Sequence, residues 1–94
     1  IRPVVIIQID RANTVSHHTI IAPFTSKIRR ALLPSHVFVP SGMGGLTQNS
    51  VILCEQIRVI DKSRIIKVIG LLDEDYMMQL QVAISNILGL NEFD

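Results

Sequence analysis

Three groups of side chains in this chain have the types and spacing to do chemistry. They are Arg2 with Thr25 and Ser26, the run Glu55, Gln56 and Arg58, and the scattered set His17, His18, His36 and Cys54. A guanidinium presents paired donors to phosphate oxygens and a hydroxyl adds another, so the first group suits a phosphate. Its members are far apart in sequence and need two elements to meet. If the run Val4 to Ile7 and the stretch HTIIAP (18 to 23) are neighbouring antiparallel strands, Arg2 enters one where Thr25 and Ser26 leave the other. The alternative for the same residues is a surface arginine and a threonine that caps the next turn.

The third group argues against metal. The chain has no CxxC or HxxxH spacing, and adjacent His17 and His18 on a strand do not both point easily at one ion. His17 and His18 fall where a turn meets a strand, either a solvated turn or an acid–base pair active near neutral pH. His36 opens a strand, exposed or against a ligand. Cys54 lies in the apolar run VILC, where burial raises a thiol pKa, so a core cysteine is expected rather than a nucleophile. SGMGG (41 to 45) lacks the Lys-Ser/Thr and the following helix of a phosphate-binding loop.

The elements that must position these residues follow from pattern. Val4 to Ile7 is short, β-branched and apolar, and reads as a buried strand followed by a polar turn over Asp10 to Ser16. HTIIAP is its hairpin partner, and HVFV (36 to 39) is a half-buried strand ending at Pro40. SGMGGLTQN is expected to be a flexible surface connection. SVILCEQIRVI (50 to 60) reads as one long strand, core-like in its first half, with Ile57 and Val59 facing one way and Gln56 and Arg58 the other. Asp61 caps a short helix over DKSRIIKVI closed by Gly70, and Asp73 caps a longer one from Glu74 to about Leu88 closed by Gly89. Met77, Leu80, Ile84, Ile87 and Leu88 share one stripe of that helix, whereas Met78 and Val82 fall off it, toward a second subunit. Four or so strands followed by two helices make a small barrel or open sheet with helices packed on one side.

Bulk properties bound the rest. A domain of 94 residues buries only a little over ~60% of its unfolded surface. With 48% hydrophobic residues and a mean hydropathy of +0.40, some apolar surface is expected to be covered by a partner subunit. No apolar run approaches the ~20 residues of a membrane span, the start lacks a signal-peptide pattern, and a single cysteine forms no internal bridge; a reducing cytoplasm fits. A net charge of +1 and a pI near 8.2 are no global signature of nucleic-acid binding. Locally, SKIRR (26 to 30) and the stretch Arg58 to Lys67 are basic while Asp73 to Asp75 is acidic, either a polarised surface or ordinary solvated charge.

RPVVIIQ, TIIAPFTSKI, LPSHV, SVILCEQIRVIDKSR and GLLDEDYMMQLQVAISNILGL occur in the order and spacing of one family. From Arg2 to about Leu90 the chain resembles the MazF/PemK toxins, endoribonucleases of bacterial toxin–antitoxin pairs. The resemblance implies a mainly β fold with peripheral helices, an SH3-like small barrel of the CcdB/PemK/MazF type, one domain over residues 1–94, and a homodimer. It implies sequence-specific, ribosome-independent cleavage of single-stranded mRNA without metal or other cofactor, leaving 2′,3′-cyclic phosphate and 5′-hydroxyl ends. Arg2 and Thr25 are then the catalytic pair, and Ser26, Lys27, Pro34, His36, Glu55, Gln56 and Arg58 the RNA-binding set. The general base is left open, Glu55 qualifying only if it points toward the groove. Lys27, Arg29, Arg30 and Arg58 would attract the RNA backbone. The partner implied is a small acidic antitoxin, and no membrane is involved. The family's first strand, of the Arg-Gly-Asp-Val type, and its following loop are absent from this numbering. Gln48-Asn49 and the glycine-rich 41 to 45 stretch depart from the family pattern, so no RNA sequence preference carries over. The competing function is a CcdB-like toxin of the same fold that binds DNA gyrase and cleaves no RNA, for which Arg2 with Thr25 has no use.

Overall fold

In a computed structural model, residues 2–28 and 32–90 are described. They form β1 (Val4–Ile6), α1 (Asp10–Val15), β2 (His18–Thr25), β3 (His36–Val39), β4 (Ser50–Leu53), β5 (Arg58–Asp61) and α2 (Glu74–Leu88). All strand pairings are antiparallel, and β2 is the organising strand. β1 lies along one side of it, with Val4 opposite Pro23 and Ile6 opposite Ile21. The other side is shared: β5 pairs with its first half and β4 with its last two residues, and β3 continues the sheet beyond β4.

This sharing corrects the single strand expected over residues 50 to 60. A 3₁₀ turn at Cys54–Gln56 interrupts it, and the chain passes from one half of β2 to the other. The bend encloses the core formed by Val5, Ala22, Phe24, Val37, Val39, Ile52 and Cys54. It also changes the expected facing of the second half, because Val59 is 61% exposed. β2 runs two residues beyond the expected Pro23, as far as Thr25.

The turn expected between β1 and β2 is partly helical. α1 is only six residues long, too short for an apolar period to show. Contacts from elsewhere in the chain hold it. Lys62 Nζ donates to the carbonyls of Asn13 and Ser16, satisfying acceptors at the end of the helix that have no partner within it. Asn13 Oδ1 accepts from Gln8 and from the hydroxyl of buried Thr19 at 2.9 and 2.7 Å.

The expected helix over residues 61 to 69 shrinks to a 3₁₀ turn at Lys62–Arg64, with Asp61 accepting from Ser63 N–H at 2.8 Å. Residues 65–72 then run without regular structure across the glycine-rich segment. That segment is a packed 3₁₀ turn at Met43–Gly45 rather than a flexible connection. Gly45 has φ +79, and a Cβ there would stand 2.0 Å from the carbonyl oxygen of Ile69.

α2 matches its expected bounds, with Asp73 accepting from Tyr76 N–H and Gly89 closing it in the left-handed region. Leu80 and Ala83 are its buried residues, and Leu80 at 1% exposure contributes about 1.5–3 kcal/mol of burial. Met77 and Ile84 pack beside them. Ile87 and Leu88, expected on the buried stripe, are instead 45% and 52% exposed.

Candidate RNA-cleaving site

The β1–β2 register fixes where Arg2 goes. Val4 lies opposite Pro23, and Phe24 N–H donates to Pro3 O at 3.2 Å, so the next step along the same register sets residue 2 abreast of residue 25. β1 follows Arg2 after Pro3, with Val5 in the core, so Arg2 stands next to a backbone anchored at Pro3. Arg2 is exposed and Thr25 half-buried. Thr25 Oγ1 accepts from Lys27 N–H at 3.2 Å, which leaves its own proton free to donate outward. A cationic residue and a hydroxyl donor therefore share one edge of the sheet. Ser26 and Lys27 follow in an exposed bend beside them.

The remaining expected site residues form a second group. His36 opens β3 opposite Leu53, and its Nε2 lies 3.1 Å from Glu55 Oε2. Ser35 donates to the other carboxylate oxygen at 3.3 Å. Burial acts to raise the Glu55 pKa, but the hydrogen bonds from its own backbone N–H, from His36 and from Ser35, with the His36 charge, outweigh it. The net result is a carboxyl below its ordinary value and ionised at neutral pH. Pro34 is exposed in the turn before β3, where its carbonyl accepts from Asn86 Nδ2 of α2 at 3.4 Å. Ser35 is a residue sequence reasoning missed; its position in LPSHV, one place before the histidine, was the available signal.

Gln56 and Arg58 are exposed but stand apart from Thr25. Arg58 is opposite Ile21, four residues along β2, or roughly 13 Å at ~3.3 Å per residue. Arg29 and Arg30 lie outside the described residues. His17 and His18 are exposed at the far end of β2, with His18 opposite Asp61. Among the described residues no three His, Cys, Asp or Glu side chains are grouped to hold a metal ion. Cys54 is fully buried, and burial first, then the neighbouring Glu55 charge, pushes its thiol up to about 11, as expected of an inert core cysteine.

Comparison with known proteins decides the family. Residues 1–88 match the model of the PemK-like, MazF-like toxin of type II toxin–antitoxin systems. The chain belongs to the PemK/MazF toxin family. It is 43% identical over 94 residues to the endoribonuclease MazF of Staphylococcus epidermidis, covering all of this chain and 78% of that protein. By this kinship it is a MazF-type toxin of the endoribonuclease class. The structure of Mycobacterium tuberculosis toxin MazF-mt6 superposes with a TM-score of 0.84 at 28% identity, over 94% of this chain and 86% of that one. A mycobacterial endoribonuclease solved in complex with its cognate antitoxin shares the fold, with a TM-score of 0.82 at 17% identity over 95% and 82% of the two chains. The mainly β MazF fold expected from the sequence is therefore the fold observed. No helix among the described residues is long and apolar enough to cross a membrane.

Proposed function

We propose that this MazF-type toxin cuts single-stranded mRNA at specific sequences, without ribosome or metal, and that Arg2 and Thr25 are its catalytic pair. The observation that carries the reading is the β1–β2 register, which sets residue 2 abreast of residue 25. In the reaction the 2′-hydroxyl of a ribose gives up its proton to solvent water as its oxygen attacks the adjacent phosphorus, and the bond to the 5′-oxygen of the next nucleotide breaks. The products are a 2′,3′-cyclic phosphate and, once the departing oxygen gains a proton, a 5′-hydroxyl. Arg2 neutralises the charge that grows on the phosphorane oxygens and needs no pKa shift to do so. Thr25, which accepts from Lys27 N–H, donates a hydrogen bond from its hydroxyl to a phosphate oxygen. Ser26, Lys27, Pro34, His36, Glu55, Gln56 and Arg58 line the path of the strand. Only four aromatic rings occur in the chain, so attraction to the RNA backbone, rather than base stacking, supplies most of the affinity.

Incubation of the protein with mixed-sequence RNA in EDTA, followed by mapping of 5′ ends, tests this. Reproducible cuts with 5′-hydroxyl ends are expected, and Thr25→Ala is expected to lose them. Intact RNA would sink the reading in favour of a gyrase-binding toxin.

The toxin acts in the cytoplasm as a homodimer and is neutralised by a small acidic antitoxin; a mycobacterial endoribonuclease of this fold was solved in complex with its cognate antitoxin. The dimer follows from uncovered apolar side chains: Ile66, Val68 and Leu71 are 72%, 74% and 85% exposed, and Met78 and Val82 are 63% and 58%. Sedimentation at micromolar concentration is expected to give the mass of two chains. The mass of one would refute the dimer.

A further inference from the structure

β1 brings Arg2 to Thr25, yet little in the strand itself holds it at that offset. Among the described residues it pairs with β2 alone, through Val4↔Pro23, Val5↔Ala22 and Ile6↔Ile21. Val5 is its one buried side chain, and Ile6 is 38% exposed. Short hairpin loops fix a register through their turn type, but the connection here spans residues 7–17, too long to do so. One competing register suits the apolar pattern. A shift of two residues keeps every side chain on its own face and seats Ile7 opposite Ala22, where Val5 stands. Both residues are β-branched and apolar. Arg2 would then stand abreast of Lys27 instead of Thr25, roughly 7 Å out of place at ~3.4 Å per residue. The opposite shift seats Pro3 there, which has no N–H to give the ladder.

The Asn13 side chain separates the two registers. Its Oδ1 accepts from Gln8 Nε2 at 2.9 Å and from the Thr19 hydroxyl at 2.7 Å, and its Nδ2 donates to Gln8 O at 3.0 Å. Gln8 continues the chain just past β1, and Thr19 is a β2 residue with 1% exposure. Gln8 Nε2 also donates to His18 O on β2 at 3.1 Å. α1, which carries Asn13, is itself tied down by Lys62 Nζ, which follows β5 and donates to the carbonyls of Asn13 and Ser16. Asn13 is thus a fixed point on the β2 side that grips the end of β1 through both the backbone and the side chain of Gln8. A two-residue shift of β1 would carry Gln8 roughly 7 Å away and break its bonds to Asn13 and His18.

Building on the reading of Arg2 and Thr25 as the catalytic pair, we propose that Asn13 is a positioning residue for the cleavage: it sets the β1–β2 register and, through β1, holds Arg2 abreast of Thr25. Asn13 itself stays clear of the reacting phosphate. Its anchors Gln8 and Thr19 each lie six residues along their strands from Arg2 and Thr25, about 20 Å from the cut.

The test measures single-turnover cleavage of RNA at saturating protein. Asn13→Ala is expected to slow it about tenfold while RNA affinity is unchanged, since hydrogen bonds that choose the register are gone. Asn13→Asp, of the same shape, is expected to slow it too, because an oxygen then faces the Gln8 carbonyl. A merely structural role is separated by two further arms. In an Arg2→Ala background, Asn13→Ala is expected to cause no additional loss. The second arm joins positions 4 and 23 by a disulfide, with Val4→Cys and Pro23→Cys. Phe24 N–H donates to Pro3 O and Ile7 N–H to Ile20 O, so the alternation makes Val4↔Pro23 a non-hydrogen-bonded pair, whose Cα atoms at about 4.5 Å a disulfide can span. This link forms only in the native register and also keeps the strand in place should Asn13→Ala alone fail to fold. Linked Asn13→Ala is expected to cut at the rate of the linked parent, and reduction of the disulfide to slow it again about tenfold. A wild-type rate in Asn13→Ala, a loss that persists in the linked form, or an equal loss with and without Arg2 would each overturn the assignment. So would failure of the two cysteines to join in the Asn13-intact parent. A wild-type protein that cuts no RNA, or an Arg2→Ala variant that cuts at full rate, would instead strike at the catalytic-pair reading, so the failures are distinguishable.

Discussion

Replacing Arg2 by alanine is expected to lower the single-turnover cleavage rate by about 10²–10³-fold, with little change in melting temperature. The magnitude is that of removing one preorganised group aimed at charge that develops in the transition state. The small effect on stability follows from exposure: the side chain projects beyond the paired residues of β1, while Val5 and the Phe24–Pro3 hydrogen bond hold the strand without it. Lysine at the same position should restore part of the rate but not all of it. It keeps the charge and loses the planar fork that bonds two phosphate oxygens together. Quench-flow rates at saturating enzyme, with parallel thermal melts, check both halves. A rate unchanged in Arg2→Ala would remove this residue from the reaction.

Gly45→Ala is expected to be the most damaging single-methyl change in the described chain, destabilising it by about 3 kcal/mol or more. Two costs combine: a left-handed backbone at φ +79 and a Cβ placed 2.0 Å from the Ile69 carbonyl oxygen. The obstacle is backbone, so no side-chain rotation relieves it. Gly42 is the internal control. Its φ is +95, but a Cβ there meets nothing within 4 Å, so Gly42→Ala should cost only the conformational part, about 1–2 kcal/mol. For a domain of this size each kcal/mol corresponds to roughly 4–8 °C, and the two melts should be clearly separated. Equal melting temperatures for the two variants would mean that the crossing of the 43–45 turn by residues 69–70 is not tight.

That crossing also shows what a sequence conceals. Glycines in SGMGG look like punctuation for a loose loop, yet Gly45 is required by a backbone that passes over it, some two dozen residues further along. The hairpin was different. Pro3, the apolar run behind it and HTIIAP are local signals, and an antiparallel register follows from them, so the approach of Arg2 to Thr25 could be anticipated. α1 could not, because its six residues are held by Lys62, Gln8 and Thr19 rather than by a period of their own. The break at Cys54–Gln56 was hidden for a related reason. Apolar alternation continues across it, and only the length of β2, which must serve both β4 and β5, reveals the bend. Of the site, Arg2, Thr25, His36 and Glu55 were legible as residue types. The Ser35 hydroxyl and the accepting state of His36 Nδ1 emerge only once the turn before β3 is folded.

The most direct measurement on the central claim is a substitution in the RNA rather than in the protein. An oligonucleotide carrying a mapped cut site is made with a single 2′-deoxyribose on the 5′ side of the scissile phosphate. The wild-type protein is expected to bind it as it binds the all-ribose strand and to leave it uncut, because the attacking hydroxyl is gone. It should convert the all-ribose strand to a fragment ending in a 2′,3′-cyclic phosphate, identified by its mass. Cleavage of the 2′-deoxy strand at the same bond would contradict the account.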